Sequence, residues 1–362
     1  MLLLFYDAEN VVPIAALQFE TNKSIVIAPY PFVKKITINC VDAPSTPKFP
    51  PQLVLLLGIF AVASASLLIR FAQREVSSLV IAAYRMGLSG LILIPFAIPR
   101  HSSELRQLSR RDLMLAAFAG MLLASHFATW ILSLEFTSVA SSVVLVTTNP
   151  LWVALLAPHV LKERLAPLIV IGMLVALAGT VVIGISDACQ QTNAGYTCPP
   201  LSEFVRGRAF WGDLLALAGA WTGAGYILIG RHLRPKLSLT PYIFLVYGLA
   251  GLVLIIIVAI SGQPAFGFSP MVYLYLLLLA LLPQLLGHSS FNWALAHLPA
   301  SYVSIALLGE PVGASILAAV VLGEMPGSLK LTGVGLILSG IVIATIRAGS
   351  QLSPVYNKNP KD

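Results

Sequence analysis

The sequence predicts an all-α integral membrane protein, with ten transmembrane helices arranged as two inverted five-helix repeats. Three observations carry that prediction. Charged residues make up 10% of the 362 and hydrophobic ones 57%. A soluble domain carries about 25% charged residues, so too few remain here to cover a water-facing surface. The apolar residues gather into ten runs, each close to the ~20 residues that a helix needs to cross about 30 Å of hydrocarbon. A shift of 161 positions then lays the second five runs on the first without a gap.

In chain order, residues 1–50 stand apart. They contain Pro13, Pro29, Pro31, Pro44, Pro47 and Pro50 and no run of spanning length. The start, Met1 to Tyr6, is too short for a signal-peptide core, and acidic Asp7 and Glu9 follow it in place of a cleavage site. This segment reads as a poorly ordered cytoplasmic extension, or as the product of a start codon chosen too early. From residue 51 the runs fall near 51–71, 79–98, 113–133, 139–159, 166–185, 210–230, 240–260, 271–294, 299–322 and 329–346. Continuous apolarity without two-residue alternation favours helices over a β-barrel.

The repeat shows in its least interchangeable residues. Under the 161 shift Gly58 falls on Gly219, Arg70 on Arg231, Ser77 on Ser238, Gly87 on Gly248 and Gly90 on Gly251. Farther on, Pro150 meets Pro311, Glu163 meets Glu324, Gly172 meets Gly333 and Gly179 meets Gly340. A single register over 53–185 against 214–346 reads as a duplication. Because five is odd, the second copy enters the membrane from the opposite side, which makes the copies inverted. The expected organisation is an extension at 1–50, repeats at 53–185 and 214–346, an external loop at 186–213 and a cytoplasmic tail at 347–362.

Charge sets the orientation. A net charge of +7 would suggest nucleic acid as the partner of a soluble protein. Here the basic residues lie between apolar runs, so no nucleic-acid partner is expected. With residues 1–50 inside, Lys48, Arg100, Arg106, Arg110, Arg111, Lys162, Arg164, Arg231, Arg234, Lys236 and Arg347 are cytoplasmic. Only Arg70, Arg74, Arg206, Arg208 and Lys330 fall outside. This asymmetry puts both termini in the cytoplasm and the chain in the plasma (inner) membrane. The three cysteines are Cys40, Cys189 and Cys198, with no CxxC pair and no zinc-like Cys/His spacing. No metal or cofactor is therefore expected. Cys189 and Cys198 share the external loop, where an oxidising compartment would permit a structural disulfide; two free thiols are the alternative.

Ionisable groups at membrane depth mark functional sites by default. Glu310 sits within the ninth run, followed by Pro311, and its counterpart Asn149 is followed by Pro150. Each proline lacks an N–H, which leaves the carbonyls of Val146 and Leu307 without helical partners. Broken backbone at that depth must be buried in protein or face a wet cavity, and inverted repeats would bring the two breaks together at the midplane. The plainer reading makes Glu310 a protonated packing residue and the prolines simple kinks. Arg85, with Ser78 and Ser89 on its helix face, either pairs with Glu310, holds an anionic solute group or snorkels to the outer interface. His126, Thr129, Trp130 and Ser133 form one polar stripe at helical spacing, and Gln284, His288 and Asn292 form another. Two such stripes in corresponding helices predict a lined cavity. Trp221, Tyr226, Tyr247, Trp293 and Tyr302 serve either as ligand-facing rings or as packing and interface anchors.

These residues resemble the EamA type of the drug/metabolite transporter superfamily. The resembling stretches are Thr148-Asn149-Pro150-Leu151-Trp152-Val153 through Lys162-Glu163-Arg164-Leu165 with Gly172 and Gly179, and Glu310-Pro311 through Leu322-Gly323-Glu324 with Gly333 and Gly340. The likeness covers about 53–346 and leaves out the first fifty residues. It implies ten helices, cytoplasmic termini, a central cavity and movement of small metabolites by alternating access without ATP. Asn149 stands where the second copy has Glu310, so carboxylate-based proton coupling would rest on one half alone. The expected function is secondary-active export of a small organic solute, with Glu310 protonatable and Arg85, Asn149, His126, Trp130, His288 and Asn292 lining the path. An intramembrane enzyme acting on a lipid or small molecule and a passive channel are the alternatives. The expected partners are the solute and the bilayer, and the chain acts as a monomer or homodimer.

Overall fold

The computed structural model describes residues 17–21, 24–27, 37–39, 49–160, 167–188, 190–192, 195–197, 207–323, 325 and 327–351. Cys40, Cys189 and Cys198, the Lys162-Glu163-Arg164 boundary, Glu324 and most of the tail after 347 lie outside them. The chain divides into two units, Met1–Lys48 and Phe49–Asp362. In the first, β1 (Leu17–Thr21), β2 (Ser24–Ile27) and β3 (Thr37–Asn39) form an antiparallel sheet in that order. Val26 of β2 pairs with Gln18 on one side and Thr37 on the other.

Among the described residues the second unit is helical apart from a short hairpin, β4 (Gln190–Thr192) with β5 (Gly195–Thr197), in the loop between the two halves. The first half holds α1 (Pro51–Ala63), α2 (Ala65–Ala72), α3 (Ser78–Arg106), α4 (Arg110–Ser133), α5 (Val139–Val146), α6 (Asn149–Val160) and α7 (Pro167–Ala188). The second holds α8 (Arg208–Leu233), α9 (Leu239–Ser261), α10 (Pro270–Leu279), α11 (Ser289–Ala294), α12 (Ala300–Ala306), α13 (Glu310–Leu317) and α14 (Ser328–Gln351). Among the described residues six helices are long and apolar enough to cross a membrane: Pro51–Ala72, Ser78–Arg106, Arg110–Ser133, Arg208–Leu233, Leu239–Ser261 and Pro270–Ala294. The remaining apolar runs contribute the interrupted pairs α5–α6 and α12–α13 and the helices α7 and α14.

Large apolar side chains stand bare on the outer faces, among them Phe60 (68% exposed), Ile260 (81%) and Val320 (79%). A soluble monomer rarely exposes apolar patches beyond a few hundred Å², whereas in a bilayer these side chains meet lipid tails. Between helices, where lipid is as apolar as leucine, association rests on close backbone approach at small residues. Helices α3 and α9 cross at glycines. A methyl group on Gly90 would lie 2.9 Å from the Gly248 Cα, and one on Gly251 would lie 2.8 Å from the Gly87 Cα. Likewise α7 and α14 meet where a methyl on Gly179 would fall 2.6 Å from the Gly333 carbonyl, and one on Gly340 would strike the Gly172 carbonyl.

These contacts are related by the 161-residue shift. Exchanging the halves turns the Gly90–Gly248 approach into the Gly251–Gly87 approach, and the Gly179–Gly333 approach into Gly340–Gly172. One polar tie follows the same rule. Gln73 Nε2 donates to the Ile131 carbonyl at 3.0 Å and, 161 positions on, Arg234 Nε donates to the Asn292 carbonyl at 2.8 Å. Arg70 Nη2 donates to the Thr137 carbonyl at 3.1 Å, whereas its counterpart Arg231 donates to the Leu295 carbonyl at 2.8 Å, three residues before the matching Leu298.

Helix starts are capped from neighbouring elements. The Glu135 carboxylate accepts from the Ser78 amide at 3.2 Å, Glu104 from the Ser238 amide at 2.5 Å, and Glu75 from the Ser269 amide at 2.9 Å. Each negative charge sits at a positive helix end and satisfies an orphan N–H. These caps therefore join the ends of different helices as well as finishing their own.

Candidate functional site

Both proline-marked helices are interrupted. In the first half, α5 ends at Val146, and α6 restarts at Asn149 with Pro150 in its first turn. The hydroxyl of Thr147 donates to the Val143 carbonyl at 2.8 Å and that of Thr148 donates to the Leu145 carbonyl at 2.7 Å. These side chains satisfy carbonyls around the break. In the second half, α12 passes into a 3-10 turn at Leu307–Gly309, and α13 restarts at Glu310 with Pro311 at its start. The tighter turn accommodates the missing proline N–H. The helix before that is irregular too. Between α10 and α11 the chain forms a π-helix at Ala280–His288 with Pro283 inside.

A cavity lies against these breaks. Its wall includes His126 and Trp130 from α4, Asn149 at the first break, Tyr226 and Ile227 from α8, His288, Phe291 and Asn292 from the eighth run, and Leu307 and Glu310 at the second break. The structure thus gathers Glu310, Asn149, His126, Trp130, His288 and Asn292 around one space. The cavity volume is about 30 Å³. One water needs roughly 10–15 Å³, so the cavity in this conformation has room for two or three waters and for no larger solute.

The polar wall is positioned by specific bonds. His126 Nδ1 lies 2.8 Å from the Gly219 carbonyl. A carbonyl only accepts, so Nδ1 carries a proton. A methyl at Gly223 would fall 2.8 Å from that same nitrogen, which explains the glycine on the facing helix. The His126 and His288 ring centres are 6.4 Å apart. Asn292 accepts from the Tyr226 hydroxyl at 2.7 Å and donates to the Tyr247 hydroxyl at 3.0 Å and to the His288 carbonyl at 2.9 Å. Asn149 is buried with its side-chain oxygen unpartnered.

Arg85 is the predicted residue that does not line the cavity. It is fully buried, so it does not snorkel, and no ion pair within 4.0 Å joins it to Glu310. Its Nε donates to Gln284 Oε1 at 2.9 Å, and its guanidinium lies 4.1 Å over the Phe127 ring and 5.7 Å from the Trp130 ring. Trp130 is thus shared, facing the cation and also lining the cavity. Phe127 carried no signal of its own in the sequence, being one apolar residue among many. Among the aromatics, Trp221 is 61% exposed on the outside, packed edge-on against Trp152, and Tyr247 is fully buried behind Asn292. Ser78 bonds to Glu135, and so does not join the Arg85 cluster.

The comparisons with known proteins bear on this arrangement. The model of the EamA-like transporter family matches twice, over residues 50–185 and 210–346. This chain belongs to the EamA-like transporter family. The EamA-like chain is 24% identical over 260 residues to an uncharacterized transporter, YetK, of Bacillus subtilis (strain 168), covering 71% of this chain and 74% of that protein. It is also 24% identical over 261 residues to an uncharacterized transporter of Clostridium kluyveri, covering 71% and 79%. A WAT1-related protein of Arabidopsis thaliana is 31% identical over 156 residues, or 41% and 43% of the two chains. One crystal structure superposes with a TM-score of 0.61 at 20% identity, over 83% of this chain and 99% of the other. At that identity the likeness concerns the fold alone.

Proposed function

We propose that this EamA-like chain is a secondary-active exporter of a small organic solute, working by alternating access in the plasma (inner) membrane. Ten transmembrane helices form two inverted five-helix repeats, with both termini in the cytoplasm. The observation that carries the reading is the cavity between the two proline-broken helices, with Asn149 on one break and Glu310 on the other. Inverted-repeat transporters bind their solute at such a midplane site. The matched contacts across the halves support the inverted pairing. The narrowness of the cavity supports alternating access, because a solute enters only when the helices move apart. Glu310 is the proton-coupling group, since it is the ionisable acid in the cavity wall.

A solute screen by thermal stabilisation of the purified protein identifies a ligand, and proteoliposomes then measure its flux with and without a pH gradient. The expected result is saturable counterflow driven by the gradient, with Glu310→Gln losing at least tenfold of the gradient-driven component. Unchanged gradient-driven flux in that variant would remove Glu310 from coupling. Single-channel conductance without counterflow would make the protein a channel, and solute conversion in detergent would make it an enzyme.

A further inference from the structure

Four side-chain nitrogens around Arg85 are buried and have no hydrogen-bond partner: Nη1 and Nη2 of Arg85, Nε1 of Trp130 and Nε2 of Gln284. All four are donors. Within the cluster Arg85 Nε takes Gln284 Oε1, and the Glu310 carboxylate attracts Arg85 electrostatically without coming within the 4.0 Å of an ion pair. The flat face of the guanidinium is covered by Phe127 at 4.1 Å, which leaves its N–H edge as the unsatisfied part. A buried cation with open donors is costly unless an acceptor reaches it. The cluster also touches the cavity, because Trp130 lines that space and lies 5.7 Å from the Arg85 guanidinium.

Donors in surplus call for a ligand that only accepts. Water donates as much as it accepts, whereas a carboxylate presents two oxygens that accept alone and match the planar fork of an arginine. We infer that the solute carries a carboxylate and that Arg85, Trp130 and Gln284 form its binding subsite. This rests on the transport reading above and names the chemical class of its solute; of the three residues Trp130 alone lines the cavity, so the subsite is reached only when the helices move apart. Arg85 and Gln284 lie 199 residues apart, one in each half, so an anion bound between them joins the two repeats. Its binding and release therefore act on the contact that alternating access must remake.

The test uses the full-length protein in detergent and follows thermal unfolding against acetate, benzoate, their neutral amides acetamide and benzamide, and chloride. The expected result is saturable stabilisation by the carboxylates and at least tenfold weaker binding of the amides. Trp130→Phe, which keeps a ring and removes one N–H, weakens benzoate about tenfold, the effect of losing one bond to a charged group. Arg85→Gln abolishes the response. Because that variant risks misfolding, Gln284→Glu is the decisive partner: it supplies Arg85 with an internal carboxylate, so the protein stays folded and the benzoate response disappears. Benzamide binding as tightly as benzoate, chloride stabilising at matching concentrations, or a wild-type benzoate response in Gln284→Glu would each overturn the inference. Benzoate counterflow in proteoliposomes separates the two claims. Binding without counterflow upholds the subsite and sinks the transport reading; saturable counterflow of an uncharged solute, with no carboxylate binding, does the reverse.

Discussion

At the scale of single residues, the polar groups in this membrane protein differ in how fully they are bonded. Asn292 uses both ends of its amide, bonded to Tyr226 and Tyr247, and so holds two helices in register with the eighth run. Removing one hydroxyl should be felt. Tyr226→Phe strands the Asn292 oxygen and is expected to destabilise the protein by about 1–2 kcal/mol, measured by denaturant unfolding in detergent. Glu75 lies in a loop and accepts from both the amide and the hydroxyl of Ser269 at 2.9 and 2.8 Å. The backbone bond first, then the hydroxyl bond, holds its carboxyl below the ordinary 4.5. A depressed native value means that the bond's contribution to stability is complete above the ordinary value and is lost as pH falls through the lower native one. Wild type should therefore lose more stability than Glu75→Gln as pH falls below the ordinary 4.5, as followed by thermal unfolding at each pH.

At the scale of elements, glycine position decides how closely helices pack. Gly90→Ala and Gly251→Ala drive a methyl group onto the backbone of the opposite helix, at 2.9 and 2.8 Å. Overpacking of this kind costs about 1–3 kcal/mol. Gly248→Ala on the same crossing meets nothing within 4 Å and should be neutral or slightly stabilising, since alanine favours helix. Equal losses for all three variants in a thermal unfolding series would contradict the crossing described here. The interrupted helices differ, because residues at their breaks line the cavity. Pro311→Ala restores a backbone N–H, which lets the 3-10 turn at Leu307–Gly309 relax toward a regular helix. The expected outcome is unchanged or higher stability together with lower solute flux, read by unfolding and proteoliposome assays in parallel.

For the whole molecule, the contacts between halves stand at both ends of the bundle. At one end Ser77 donates to Gln263 at 2.6 Å and Glu75 binds Ser269. At the other, Ser238 donates to Glu104, and Lys236 approaches Asp112 at 3.3 Å. That ion pair is half-exposed and contributes about 0–1 kcal/mol at most, so it opens readily. The alternating access proposed above requires the two ends to open in turn. Cysteines at 77 and 263, in a background with Cys40, Cys189 and Cys198 replaced by serine, should stop flux at least tenfold when cross-linked by a short bifunctional reagent. Cleaving the cross-link should restore it. Full flux through the cross-linked protein would show that this end does not open during transport.

Composition and pattern alone determined that the chain lives in a bilayer, where the helices run and which residues correspond between the halves. They determined that Glu310 and Asn149 occupy matched breaks. Such properties are local: each residue reports the solvent it prefers, and proline or glycine reports its own backbone. Tertiary structure decided how the polar residues are paired. The sequence left Arg85 three roles. Packing buries it against Phe127 and bonds it to Gln284, 199 residues away, and no spacing rule reaches across two halves of a chain. The same is true of Trp221, which the fold turns outward, and of Tyr247, which it hides behind Asn292. In a membrane nearly every helix face is apolar, so hydropathy separates lipid-facing from core-facing positions poorly. Only the contacts among helices decide which polar group meets which.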